Sequence, residues 1–465
     1  MRRVITLVAS LLMCVSMMSV LSACNSGGDD TSGTTSGGNK ANGTKTTESG
    51  LEIPDVELKN KEIKVMGIDQ PQFREGGVVA EFFKKYYDGT ITQMVVPSND
   101  LYNALATEIS SGNSPDIVGV NGGFPSLILT DAIQDVEGVL YTDLPIFEEH
   151  KAVYDQFVYN GKHYYLPWVT DQVSYCFFNR KIFEDNELEN PRELYLKGEW
   201  TWDKFAELAK ALTINESGSA DAERWGAVYT TWHEARFVYT TGEMFIKSDG
   251  NTVLPNFDSP NMERAFNFLT DLVLKEKVVS PNNDIAYVTE QFNTGKAAML
   301  LGPDFWSGPD VLEPLREGKR LDWAPYPKDP QADKYYVPAE TIGYYMAQGA
   351  PNKEGVGVFM AAAMAAMEEQ GLEGSDAYKK AQQEYIKNYE QYGYTLEDLK
   401  AEEEYSKSFK SLHLIGDPYR DILDPSLFYN EMIGIGSAQA IQTYQQARAL
   451  LEPGVTAKLE EMGIQ

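Results

Sequence analysis

Ile63-Lys64-Val65-Met66-Gly67, Thr90-Ile91-Thr92-Gln93-Met94-Val95-Val96 and Asp116-Ile117-Val118-Gly119-Val120 decide the fold of this chain. Each run is short, apolar or β-branched, and reads as a strand. Between the first and second, Val78, Val79, Phe82, Phe83 and Tyr86 fall at helical spacing. Between the second and third, Pro97-Ser98-Asn99-Asp100 gives a capping signal for a helix over 101–111, and Gly112-Asn113-Ser114-Pro115 stops it. Strand, helix, strand, helix, strand in this order implies a parallel α/β sheet. Ligands of open α/β sheets sit beyond the carboxyl ends of the strands. That rule singles out Asp69, Gln70, Phe73 and Arg74 in loop 68–77, and Asn121 and Phe124 in loop 121–126.

Upstream, Arg2 and Arg3 precede a mostly apolar stretch, and Leu21-Ser22-Ala23-Cys24 follows it. This is the pattern of a lipoprotein signal peptide over 1–23. Small residues before the cysteine let a peptidase approach the backbone, and the Cys24 thiol would take a diacylglyceryl group. At about 0.8 kcal/mol per buried methylene, two acyl chains hold a protein stably on a bilayer. The expected location is therefore the extracytoplasmic face of a cell membrane, of the Gram-positive envelope type. Residues 25–50 are Gly, Ser, Thr and Asn with a few charges, so 24–60 reads as a flexible tether with a reach of roughly 30 to 35 Å.

The remaining length, about 400 residues, suggests two lobes or domains. A net charge of −29 over the 465 residues argues against nucleic acid and anionic lipid as partners. Beyond Cys14 and Cys24 only Cys176 remains, inside Tyr175-Cys176-Phe177-Phe178, and it reads as a buried, inert thiol. The four histidines show no metal-ligand spacing, and no glycine-rich phosphate loop follows the first strand, so no metal or cofactor is expected.

Several blocks then occur in a telling order: Gly161 to Asp171 with Tyr175 to Phe183; Trp200-Thr201-Trp202-Asp203-Lys204-Phe205; Gly242-Glu243-Met244-Phe245 with the Asp249-Gly250 turn; the helical stretch 262–274; Phe292-Asn293-Thr294-Gly295-Lys296-Ala297-Ala298-Met299 with Trp306 behind it; and Asp322-Trp323-Ala324-Pro325-Tyr326-Pro327. Together with the strand expected at 341–347, they resemble the family-1 extracellular solute-binding proteins, the sugar and maltodextrin receptors of ABC importers. The resemblance covers nearly all of 61–462. It implies an α/β, two-lobed periplasmic-binding-protein-like fold of type II, without enzymatic activity. One lobe would take 61–167 and 340–393, the other 171–338 and 405–465. Two stretches depart from the family pattern, 190–199 and the Lys/Glu/Tyr-rich helices of 376–408.

A sugar presents hydroxyls around a weakly apolar ring face, so its receptor needs carboxylates or amides and an aromatic plane. At matching positions the family places an acidic hinge residue on the hydroxyls and a tryptophan under a ring. On this chain those are Asp171, with Trp168 beside it, and Trp232 and Trp306; Asp304 and Tyr344 are weaker candidates. The expected partners are a carbohydrate, of oligosaccharide size, and ABC permease subunits, with the protein itself monomeric. Rival readings are a non-sugar solute receptor, which would need clustered Arg or Lys beyond Arg74 and Arg236, a surface glycan hydrolase or lyase, and a sensor subunit for a membrane kinase.

Overall fold

The computed structural model describes residues 43–167, 172–219, 221–230, 233, 235–248, 253–303, 311–340, 342–415, 418–419, 422 and 443–462. The three expected strands form Glu62–Gly67, Thr90–Val95 and Ile117–Asn121, and Glu62–Gly67 pairs in parallel with both of the others. The helices between them are Val78–Tyr87 and Leu101–Ser110. A fourth strand, Ile342–Met346, joins antiparallel on the outer side of Ile117–Asn121. Helix Lys353–Glu369 packs on this sheet, and every residue from Gly355 to Met367 is buried. A helix apolar all round belongs in a core, which accounts for the Ala/Met run. It lies so close to its neighbour that a Cβ at Gly357 would meet the Val139 carbonyl oxygen at 2.2 Å.

The second sheet is mixed. Strand Gln172–Asn179 is its spine, antiparallel to Ala297–Pro303 on one side and to Leu321–Pro325 and Tyr335–Glu340 on the other. Trp225–Tyr229 adds in parallel to Ala297–Pro303, and Leu412–Ile415 in parallel to Tyr335–Glu340. Helix Trp202–Leu212, capped by the Thr201 side chain on the Lys204 amide, lies against Trp225–Tyr229. Contact is tight enough that a Cβ at Gly226 would meet the Ala209 carbonyl oxygen at 1.9 Å. Cys176, in the spine strand, is fully buried, and burial pushes its thiol up.

The tether differs from its expectation. Residues 44–60 are docked on the first sheet's layer, with a hairpin of Thr44–Thr46 and Glu52–Pro54. Ile53 and Leu58 enter the apolar cluster of that layer, and the Tyr87 hydroxyl donates to the Pro54 carbonyl at 2.9 Å. Four apolar residues, Leu51, Ile53, Val56 and Leu58, follow the polar run, and burying them outweighs the entropy of a free coil. Residues 1–42, Cys24 among them, lie outside the described residues.

The departures from the family pattern form a capped helix, Pro191–Leu196, and the pair Asp376–Tyr389 and Leu396–Lys407. This pair is tied to the second sheet's side by Lys319 on Asp398, Arg192 on Glu402 and the Tyr405 hydroxyl on the Trp323 carbonyl. Among the described residues, no helix is long and apolar enough to cross a membrane.

Candidate ligand-binding site

The chain passes between the sheets three times, and two of these passages run side by side; the third leads from Ile342–Met346 and helix Lys353–Glu369 to Leu412–Ile415. In the first, Tyr165 bridges Tyr345 and the Leu166 amide donates to the Tyr344 carbonyl at 2.8 Å, after which the chain enters the second sheet at Gln172. In the second, Glu340 ends a strand of the second sheet and Ile342 begins one of the first. Their registers mesh: Glu340 faces Gln172 and Ala339 faces Val173 on one side of the crossing, while Ile342 faces Asn121 on the other. A paired, two-segment crossing is the geometry of a hinge.

Both sheets present strand ends to this crossing. Ile117–Asn121 ends opposite Ile342. In the second sheet Pro303, the last residue of its strand, faces Ser174, and Trp225–Tyr229 runs parallel alongside. In an open α/β fold, ligands sit at such strand ends.

Asp69 and Arg74, in the loop after Glu62–Gly67, form an ion pair, with Arg74 Nε donating to Asp69 Oδ1 at 2.9 Å. Both side chains are partly exposed, which leaves the pair able to exchange its partner for a ligand. Beside it lies an amide cluster that sequence reading only touched. The Gln70 amide donates to Gln93 Oε1 at 2.8 Å, Gln93 Nε2 returns to the Gln70 carbonyl at 3.0 Å, and Gln72 Nε2 donates to Gln70 Oε1 at 2.9 Å. Gln93 sits one strand over, so only the parallel register between Glu62–Gly67 and Thr90–Val95 brings it to the loop. On the second sheet's side, the Thr230 hydroxyl meets His233 Nδ1 at 2.7 Å, and Tyr326 donates to the His233 carbonyl at 3.0 Å.

Three expected aromatic contacts are in the core instead. Phe73 is 2% exposed, edge-on to Tyr344 and Phe359 at 6.4 and 5.6 Å. Phe124 is fully buried against Phe157 and Tyr419, each at 5.3 Å. Tyr344 packs where a Cβ on Gly119 would strike its ring at 2.7 Å, and burial pushes its hydroxyl up. All three are loop or edge residues by sequence, but helix Lys353–Glu369 and the segment around Tyr419 cover them, and such long-range cover leaves no local signal. Asn121 is placed at the crossing by its backbone register. Trp168, Asp171, Trp232, Asp304 and Trp306 lie outside the described residues.

Among the described residues, no group of three His, Cys, Asp or Glu is placed to hold a metal. Polar and ion-paired groups lie on the loop that follows the first strand of the first sheet.

Solved structures share this architecture. A Listeria monocytogenes ABC substrate-binding protein in complex with cycloalternan is 19% identical, with a TM-score of 0.56 over 88% of this chain and 100% of that one. The sugar-binding protein MalE of Xanthomonas citri is 14% identical, with a TM-score of 0.61 over 86% and 98%. The cyclic α-maltosyl-1,6-maltose binding protein of Arthrobacter globiformis is 16% identical, with a TM-score of 0.60 over 86% and 100%. These likenesses establish the two-lobed, type II periplasmic-binding-protein-like fold. Residues 70–370 match one sequence family, so the chain belongs to the bacterial extracellular solute-binding proteins.

Proposed function

We propose that this protein is the substrate receptor of an ABC importer, that it takes a carbohydrate of oligosaccharide size between its lobes, and that it closes on the ligand by bending at the crossing. The observation that supports this reading is the pairing of Glu340 with Gln172 and of Ile342 with Asn121, by which strands of both sheets end at one crossing. Closure is favoured only by contacts that both lobes make to one ligand. The solved structures of similar fold support the ligand class, because their bound molecules include cycloalternan, maltotriose and lacto-N-biose.

In this reading Asp69, Arg74 and Asn121 act from the first lobe, Asp171 bridges hydroxyls at the hinge, and Trp232 and Trp306 offer ring faces to a sugar, with Trp168 and Asp304 at the margin. The pair of helices spanning 376–407 travels with the second lobe, to which its ion pairs tie it. A thioether-linked lipid on Cys24 holds the receptor at the membrane beside its permease.

The test is a thermal-shift screen of mono- and oligosaccharides followed by calorimetry, since a ligand that binds only the folded state raises Tm. Asp171→Ala and Trp306→Ala should each weaken the best sugar by about 2 kcal/mol or more, as central contacts do, with the fold intact. Unchanged affinity in both variants defeats the site assignment, and turnover of the glycan during incubation defeats the receptor reading.

A further inference from the structure

At the far end of the spine strand from the crossing lies a partly open cavity of about 190 Å³. Its floor includes Leu321 and Asp322, which pair with Asn179 and Phe178. Gln172, at the crossing, is six residues earlier on the same strand, about 20 Å away at some 3.3 Å per residue. The cavity is thus separate from the interlobe site. Its roof is the helix pair Asp376–Tyr389 and Leu396–Lys407, beyond the stretch that matches the family.

Four cations line it, and three have counter-charges. Arg180 donates to Asp322 at 2.5 Å, Arg192 to Asp322 and Glu402 at 3.0 and 2.7 Å, and Lys319 to both oxygens of Asp398 at 2.8 Å. Arg316 is different. It is 3% exposed, its Nε and Nη2 have no hydrogen-bond partner among the described residues, and its guanidinium rests 4.7 Å from the Tyr389 ring centroid. Burying a charge without a partner is strongly unfavourable, and a ring face offsets only a part of that. Aromatic rings, Tyr385, Tyr389, Tyr394 and Trp323, make up a large part of the remaining walls.

We propose that this cavity is a second ligand site, which takes a small planar organic carboxylate, with its two oxygens on the Arg316 guanidinium once that side chain turns toward the cavity and its flat body against the outer faces of the tyrosine rings. A guanidinium and a carboxylate match in a bidentate pair, and a cavity of this size admits one such molecule. The anions in the lining do not compete, because Asp322 and Asp398 are already engaged by Arg180, Arg192 and Lys319. Glu402 is likewise held by Arg192, and Glu403 by the Tyr378 hydroxyl. Occupancy would clamp the helix pair onto the second lobe.

Benzoate is the probe, titrated into the full chain by calorimetry, with acetate and inorganic phosphate alongside. The expected result is saturable one-to-one benzoate binding with a rise in Tm, tenfold or more tighter than acetate or phosphate. Arg316→Gln should abolish it, and Arg316→Lys, which keeps the charge but not the fork, should weaken it at least tenfold. Should either variant fail to fold, hydrogen exchange on the unmodified protein decides the matter: benzoate must slow exchange in Leu396–Lys407 and around Arg316. Absence of saturable benzoate binding, equal affinity in Arg316→Gln, or protection confined to the crossing overturns the proposal.

Discussion

Each lobe buries a carboxylate deep in its structure, and the two are stabilised by opposite means. In the first, Asp116 is 1% exposed and is met by neutral backbone: the amide of Lys64 donates to Oδ2 and that of Asn352 to Oδ1, both at 2.9 Å. The Asn352 side chain then caps helix Lys353–Glu369 on the Gly355 amide and donates to the Asn60 and Glu62 carbonyls. In the second, Asp329 is fully buried and is met mainly by charge, with the Gln331 amide also donating to Oδ1 at 3.0 Å. Arg264 donates from Nη1 at 2.7 Å and Nη2 at 2.5 Å, with its guanidinium near the Trp202 ring. The first arrangement is a polar knot between strand and helix; the second is a salt bridge that pins helix Pro260–Leu274 to the loop after Pro325. Backbone amides hold a carboxylate without adding a second charge to the interior, whereas the ion pair works only while both charges are present.

The same substitution should therefore have different consequences in the two places. Asp329→Asn removes the partner of a largely buried guanidinium and should destabilise the protein by about 3–5 kcal/mol, the largest effect expected here. Urea unfolding measures it, and a loss below about 1 kcal/mol would break the contrast. Asp116→Asn leaves one oxygen to accept and turns one amide donor against an –NH₂ group, so it should cost about 1–3 kcal/mol. Equal losses at the two sites would mean that charge pairing is not what distinguishes them.

The titration of Asp116 sharpens the same point. Burial pushes its carboxyl above the usual range, although the Lys64 and Asn352 amides pull it back. A carboxyl raised in the folded state binds its proton more tightly there than in the unfolded chain, so its contribution is fullest below the unfolded value, near pH 3.8, and declines as pH rises through the folded one. Asp116→Asn should remove that component from a stability profile measured across the acidic range. A profile of unchanged shape would count against the raised carboxyl.

The first sheet was legible because its strands and helices carry their own periodicity and because 78–83 and 101–105 place apolar residues on one helical face. The second sheet was legible only through family resemblance. Its spine, Gln172–Asn179, is paired on both sides by strands from 297–303, 321–325 and 335–340, and no local pattern specifies such pairing. Topology singles out loops 68–77 and 121–126, but it cannot say which of their aromatic residues are buried. Phe73 and Phe124 look like loop residues until Phe359 and Tyr419 close over them. The docking of 44–60 was missed because the polar run before residue 50 hid four apolar residues after it. Arg316 gave no sign at all, since a lone arginine in Glu313–Arg316 becomes unusual only once burial and the absence of an acceptor are known.

The smallest expected effect lies at the entry to the crossing, where His163 and His150 set charge against burial within a single lobe. His163 stacks on Tyr154 at 4.2 Å, with Nδ1 at 2.8 Å from Glu137 and Nε2 at 3.8 Å from Asp155. Burial acts to lower its pKa, but the acidic partners Asp155 and Glu137 outweigh this and the result is a rise above the ordinary value. His150, buried without acidic partners among the described residues, is pushed down to about 4 by desolvation. The signs follow from linkage. The raised His163 contributes stability that is fully present below about pH 6.5 and is lost as pH rises through its folded value; the lowered His150 contributes stability present above 6.5 and lost as pH falls toward 4. His163→Gln should therefore remove part of the stability measured at pH 6 while leaving that at pH 9 nearly unchanged, a difference of about 0.2–1 kcal/mol for a partly screened pair. Urea unfolding at the two pH values measures it. A loss as large at pH 9 as at pH 6 would mean that His163 acts through its stack on Tyr154 and not through its charge.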